Sequence, residues 1–159
     1  ILIGLVGSEM CIRDSYYIEH EAEHCFIAVD EDTDTAIGYI LCAPDYKRYK
    51  RIFKAEYLPR VKGCKKTDVL ESWASVYGPA IFAKSYPAHM HINLEPGYQR
   101  CGLGTKLFET LIAHLKELGS KGIMLVVDSY NTNAINFYRK NKFDIIFPLR
   151  TCTVMGRRV

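Results

Sequence analysis

Gln99-Arg100-Cys101-Gly102-Leu103-Gly104 stands between two strongly patterned segments, and its reading decides the fold. Before it, His89–Leu94 has the composition of a strand, closed by Pro96-Gly97. After it, Thr105–Leu118 repeats apolar residues at helical spacing: Leu107, Phe108, Leu111, Ile112, Leu115 and Leu118 share one face. Gly119 follows as the expected C-terminal cap. A glycine loop between strand and helix opens a helix N-terminus, where free backbone N–H groups and a partial positive charge attract anions. Glycines there let the backbone approach a bulky pyrophosphate. The spacing is neither that of a P-loop nor of a dinucleotide G-x-G-x-x-G. Taken alone, it also fits a simple tight turn.

Outward from the loop, Ile123–Val127 is a continuous apolar run, expected to be a strand buried on both faces. Asn131–Asn141 reads as a second helix, and Asp144–Phe147 and Thr151–Gly156 as closing strands. On the N-terminal side, Phe26–Asp30 and Ala36–Cys42 form a hairpin across the acidic turn Glu31–Thr35, stopped by Pro44. Tyr46–Leu58 is a helix with apolar Tyr49, Ile52, Phe53 and Tyr57 on one face; it is basic through Lys47, Arg48, Lys50, Arg51 and Lys54. Arg60–Thr67 is a basic connector, and Asp68 caps a further helix, Val69–Tyr77, whose Trp73 and Tyr77 are expected in the core. No helix is expected ahead of the hairpin.

The 159 residues suit one domain. A composition of 48% hydrophobic and 25% charged residues excludes disorder and coiled coil. No apolar run reaches the ~18 residues of a membrane span. The net charge of +3 is too small to indicate nucleic acid by itself. Six dispersed cysteines without a C-x-x-C pair read as reduced thiols of a cytoplasmic protein. Residues 1–15, with Met10-Cys11-Ile12-Arg13-Asp14-Ser15, resemble translated sequencing-adapter sequence, so residues 16–159 are expected to be the native domain, shortened at its start.

Two motifs in order carry a family resemblance. Q-x-x-G-x-G at Gln99–Gly104 resembles motif A of the GNAT N-acetyltransferases. Asn131-x-x-Ala134-x-x-Phe137-Tyr138-x-Lys140 followed by Phe143 resembles their motif B. Within that superfamily, Tyr86–Ile92 and Ala43-Pro44-Asp45 look like the acetyltransferase-like domain of O-GlcNAcases and its bacterial stand-alone relatives. One departure is Lys142, where the family usually has glycine; Asn141 or a left-handed Lys142 must then end the helix.

The resemblance implies an α/β, three-layer GNAT fold, with a mixed, mostly antiparallel sheet and a splayed parallel strand pair, His89–Leu94 and Ile123–Val127. The family's first strand and helices would be missing. It implies acetyl-CoA as cosubstrate, a primary amine as acceptor and direct transfer in a ternary complex. Leu94 would pair with the pantetheine arm. Gln99, Arg100, Cys101, Gly102, Leu103, Gly104 and Thr105 would hold the pyrophosphate, with Lys106 adding charge. Asn131 would sit near the pantetheine or simply cap its helix, and Phe137 would line the site or pack. Tyr138 would be the general acid, its phenol matched to a thiolate leaving group.

Alternation on the first splayed strand puts His89, His91, Asn93 and Glu95 on one face. His91 and Glu95 are the candidate bases, although structural histidines fit equally. His-x-His can also bind zinc, but no third ligand is identifiable, so no metal is expected. Cys101 as a covalent nucleophile is set aside, because direct transfer is the family habit. The basic block Lys47–Lys66 suits a solvated helix face, an acidic substrate or nucleic acid. A homodimer is compatible with the family, and a CoA-binding module without transfer activity is the alternative function.

Overall fold

In the computed structural model, residues 12–60 and 77–159 are described. The expected helix Val69–Tyr77 with Trp73 (all but Tyr77 itself), most of the connector Arg60–Thr67, and Ile1–Cys11 lie outside them.

Six strands form one sheet: β1 (Phe26–Asp30), β2 (Thr35–Ala43), β3 (Ala88–Leu94), β4 (Gly122–Asp128), β5 (Asp144–Pro148) and β6 (Cys152–Arg158). Their order is β1-β2-β3-β4-β6-β5. Among the described strands, only β3 and β4 run parallel. Among the described residues, four α-helices cover the two faces: α1 (Ile12–His20), α2 (Tyr46–Ile52), α3 (Leu103–Glu117) and α4 (Thr132–Lys140).

Alternating residues of the strands feed two separate cores. Ile40, Cys42, Met90, Ile123, Leu125 and Val127 meet Leu107, Phe108, Leu111, Ile112 and Leu115 of α3, with α4 closing that side. On the opposite face, Tyr39, Leu41, Ala43 and Met124 meet Tyr16 and Tyr17 of α1 and Tyr46 and Tyr49 of α2. Burying two aromatic rings per helix supports α1, which is short for an independent helix.

Helix α1 corrects the expectation that no helix precedes the hairpin. Its buried positions, Tyr16 and Tyr17, are adjacent rather than spaced by three or four, so no periodic stripe marks it. It is held by tertiary contacts: Glu21, 2% exposed just beyond the helix, accepts from the Tyr16 hydroxyl and from the Arg48 guanidinium of α2. Arg48 also donates to the His20 carbonyl (3.1 Å). A buried carboxylate without that arginine would be uncompensated, so α1 and α2 are coupled through this pair.

α2 continues past Ile52 into a π-helical turn, Phe53–Tyr57, closed by Leu58 N–H donating to the Phe53 carbonyl (3.0 Å). The wider turn keeps Tyr57 buried alongside Phe53. Both later helices end in a paired hydrogen-bond motif on a left-handed residue. Gly119 (φ +68°) serves α3, with Ser120 N–H donating to Leu115 and Gly119 N–H to Lys116. Lys142 (φ +65°) serves α4, with Phe143 N–H donating to Tyr138 and Lys142 N–H to Arg139.

Two further expectations change. β4 is buried on both faces only over its first part, through Ile123, Met124 and Leu125; further along, Val126 is 51% exposed and Asp128 is exposed. Tyr77 is not in the core; it lies at the surface under Lys50 and Lys54.

Candidate functional site at the strand splay

The parallel pair β3–β4 is joined at only two positions, Ala88 with Ile123 and His89 with Met124. Beyond them the strands part. β3 stays paired with β2 out to Leu94, and β4 with β6 out to Asp128. Met90–Leu94 therefore present a strand edge in the middle of the sheet with no strand beside it. An interior edge of this kind is a template for an extended ligand carrying amide groups.

At the open end of this gap stands the glycine loop. Arg100 (φ +64°) and Gly102 (φ +87°) are left-handed, which turns successive amides of the loop toward one side. Gly102 is the N-cap of α3 and has no side chain to cap it. The backbone amides of Arg100, Cys101, Gly102, Leu103, Gly104 and Thr105 donate to no protein acceptor among the described residues. Six free amides on a helix N-terminus whose first turn has no acidic residue suit a pyrophosphate.

The loop is braced from below. Gln99 Nε2 donates to the Leu94 carbonyl (3.0 Å), Cys101 Sγ to the Tyr98 carbonyl (2.8 Å), and the Tyr98 hydroxyl to Asp30 Oδ2 of β1 (2.5 Å). Gln99 thus ties the loop to the end of β3, and Cys101 to the turn before it. The guanidinium of Arg100 and the ammonium of Lys106 are exposed at its rim.

The two glycines of the motif have different causes. A Cβ on Gly102 would meet nothing within 4 Å; its left-handed backbone is the constraint. A Cβ on buried Gly104 would stand 2.8 Å from Phe137 Cζ and 3.2 Å from Leu94 Cδ1. Gly104 therefore lets α3 close on α4, and Phe137 is a packing residue, stacked obliquely on Phe108 at 5.6 Å.

Asn131 caps α4, its Oδ1 accepting from Ala134 N–H (3.0 Å). One helical turn past Ala134, Tyr138 is half-buried against Phe108 and Phe143 (6.0 Å each). Burial pushes its phenol above the usual value, and its hydroxyl makes no hydrogen bond among the described residues. A protonated, unengaged phenol is what a proton donor requires.

On the α1/α2 side, His91 lies edge-on to Tyr17 at 5.4 Å. His89, 8% exposed, is enclosed by Tyr17, Tyr46 and Tyr49 at 5.6, 5.8 and 4.3 Å. Neither of its ring nitrogens meets a hydrogen-bond partner among the described residues. Burial, with His91 nearby, lowers its pKa to about 3. It is a neutral structural residue at the apex of the splay. Glu95 lies apart from this group. It is four residues past His91, roughly 13 Å along the strand. There it is exposed beside a hollow lined by Thr33, Thr35, Ile37, Gly97 and Tyr98.

Cys25, Cys42, Cys101 and Cys152 are free thiols. Among the described residues, no three His, Cys, Asp or Glu side chains come together to hold a metal ion, and no helix is long and apolar enough to cross a membrane.

Residues 7–143 match the acetyltransferase (GNAT) family. A stretch of 72 residues is 29% identical to mycothiol acetyltransferase of Geodermatophilus obscurus, spanning 45% of this chain and 23% of that protein. Among solved structures, the chain resembles SsHAT at 31% identity and a TM-score of 0.76, over 91% of this chain and 76% of the other. It also resembles the polyamine N-acetyltransferase of Drosophila melanogaster at 14% identity and a TM-score of 0.68, over 99% and 92%. The splayed strand pair, the uncapped glycine loop and a family match over most of its length agree: the chain belongs to the GNAT acetyltransferase family.

Proposed function

We propose that the domain is an acetyl-CoA-dependent N-acetyltransferase that transfers acetyl to a primary amine by direct attack within a ternary complex. The observation that carries this is the release of β3 from β4 after two residue pairs, beside six unengaged amides. The edge Met90–Asn93 matches an amide-bearing pantetheine arm, with Leu94, whose N–H and carbonyl meet Asn93 Oδ1 and Gln99 Nε2, at its outer end. The amides of Arg100–Thr105 match a pyrophosphate, and Arg100 adds charge at the rim.

The chemistry follows from the two faces of the gap. The neutral amine enters from the α1/α2 side and attacks the thioester carbonyl. The C–N bond forms and the C–S bond breaks. The amine proton passes to His91, directly or through water. The departing thiolate takes the phenolic proton of Tyr138 from the α3/α4 side. The raised pKa of Tyr138 keeps that proton in place at neutral pH. Asn131 and Phe137 set the position of α4 and so of Tyr138, while Gln99 and Cys101 hold the loop. Glu95, exposed beside the hollow next to the β1–β2 turn, takes no proton in this scheme.

The test is thiol release from acetyl-CoA with a panel of primary amines, comparing wild type with Tyr138→Phe. Loss of the acid lowers kcat by about 100-fold or more, with CoA affinity unchanged within threefold. Near-wild-type turnover in Tyr138→Phe removes the residue from the mechanism. CoA binding without thiol release from any amine leaves a binding module and overturns the proposal.

A further inference from the structure

Charge is divided unevenly along this chain. Between Tyr46 and Thr67 there are nine cations (Lys47, Arg48, Lys50, Arg51, Lys54, Arg60, Lys62, Lys65 and Lys66) and one acid, Glu56. That segment is net +8 in a chain of net +3, so the rest is net −5. The structure divides these cations by what they do. Arg48 is tied to Glu21, Arg60 to Glu19 (3.5 Å), and the single acid, Glu56, to His20 (3.2 Å). The α2 region buries Tyr46, Tyr49, Phe53 and Tyr57 on its inner face. Lys47, Lys50, Arg51 and Lys54 then fall at i, i+3, i+4 and i+7 on the outer one. None of these four has a carboxylate partner among the described residues. Lys50 and Lys54 instead rest over the ring of Tyr77, at 4.9 and 5.7 Å.

A row of like charges that repel one another along a helix is costly to keep. Its position gives the reason. The inner face of α2 seats on the residue where β3 and β4 separate: Tyr49 lies 4.3 Å from the His89 ring, and Tyr46 N–H donates to the Pro87 carbonyl (2.8 Å). The row therefore borders the face from which an amine reaches His91.

We infer that the acceptor is an acidic peptide, whose carboxylates lie along Lys47, Lys50, Arg51 and Lys54 while its amine reaches the splay. This rests on the acetyl-transfer reading and names its substrate class. The row spans about 10 Å, the rise of seven helical residues, which matches three residues of extended chain better than a one-carboxylate metabolite. One helix diameter, about 10 Å, separates the row from the sheet. The acidic residues then fall about three to five positions from the amine, at roughly 3.3 Å per residue. Nucleic acid fits less well, because the surface aromatic beside the row, Tyr77, is covered by two lysines rather than open for base stacking.

The experiment uses three probes: a fluorescent peptide with a free amine and three aspartates three to five residues away, its asparagine counterpart, and a 15-mer oligothymidylate. Binding is read by anisotropy and turnover by thiol release, for wild type and the surface variant Lys47→Glu/Arg51→Glu/Lys54→Glu. Wild type is expected to prefer the aspartate peptide by about tenfold in KM at 50 mM salt, and to lose the preference at 500 mM. The variant loses it at both, with kcat on the asparagine peptide unchanged. Equal KM values for the two peptides in wild type, or an unchanged preference in the variant, overturn the inference. Tighter binding of the oligonucleotide than of the aspartate peptide assigns the row to nucleic acid and overturns it as well. If no amine is acetylated, the transfer reading fails separately, and the anisotropy comparison still decides whether the row selects acidic peptides.

Discussion

His89 should make this domain sensitive to mild acid, and the size of the effect follows from where the ring sits. Enclosed by Tyr17, Tyr46 and Tyr49, it holds a pKa of about 3 in the folded protein against an ordinary 6.5 when unfolded. Between those values the unfolded chain binds a proton that the folded one does not, so stability falls as pH falls through 6.5 and continues to fall toward 3. At pH 5 the unfolded imidazole is about 30-fold more protonated than neutral, which costs the folded state about 2 kcal/mol relative to pH 7.5. Urea unfolding of wild type and His89→Phe at both pH values isolates this contribution, because the other titrating groups are common to the two proteins. The pH-dependent loss should be smaller in His89→Phe by about 2 kcal/mol. A loss identical in both proteins to within ~0.5 kcal/mol would show that His89 is protonated in the fold. It would refute the burial argument.

Gly104→Ala forces a methyl group toward Phe137, an overpacking cost of about 1–3 kcal/mol. It is offset by about 1 kcal/mol of helix propensity, so thermal unfolding should show a net loss, and Phe137→Leu should relieve part of it. A stable Gly104→Ala protein would return that glycine to the loop's conformation alone. Lys142→Gly removes left-handed strain at an exposed position and should raise stability by about 1 kcal/mol, or roughly 2–4 °C in Tm. A drop in Tm would show that the lysine side chain contributes more than its backbone costs.

How much of this was legible in the sequence depended on where the information lay. The loop, α3 and α4 were readable because each is local: a glycine pair, a helical stripe, an asparagine cap. Lys142 in the left-handed region was one of two options the sequence left open at the helix end, and the backbone settles it. What sequence could not show is set by partners distant in the chain. Helix α1 has no stripe of its own and depends on Arg48, 27 residues beyond the Glu21 it meets. The reason for Gly104 is Phe137, one helix and one strand further on. Tyr77 looked like core because aromatic residues usually are, yet two lysines cover it at the surface.

The polar face of β3 shows the same dependence within one strand. Alternation puts His89 and His91 on the same side, and of the two the sequence reading names His91, with Glu95, as a candidate base. The sheet separates them. His89 is the last β3 residue paired with β4, and three tyrosine rings close over it, so it cannot hold a proton at neutral pH. His91 is two residues further, past the point where the strands part, half-buried and beside a single ring of that cage. A base must exchange its proton with the acceptor and with water, which the tyrosine cage over His89 prevents. The proposal of His91 as the base therefore rests on where β3 leaves β4, a property of strand pairing that neither histidine carries in its own local sequence.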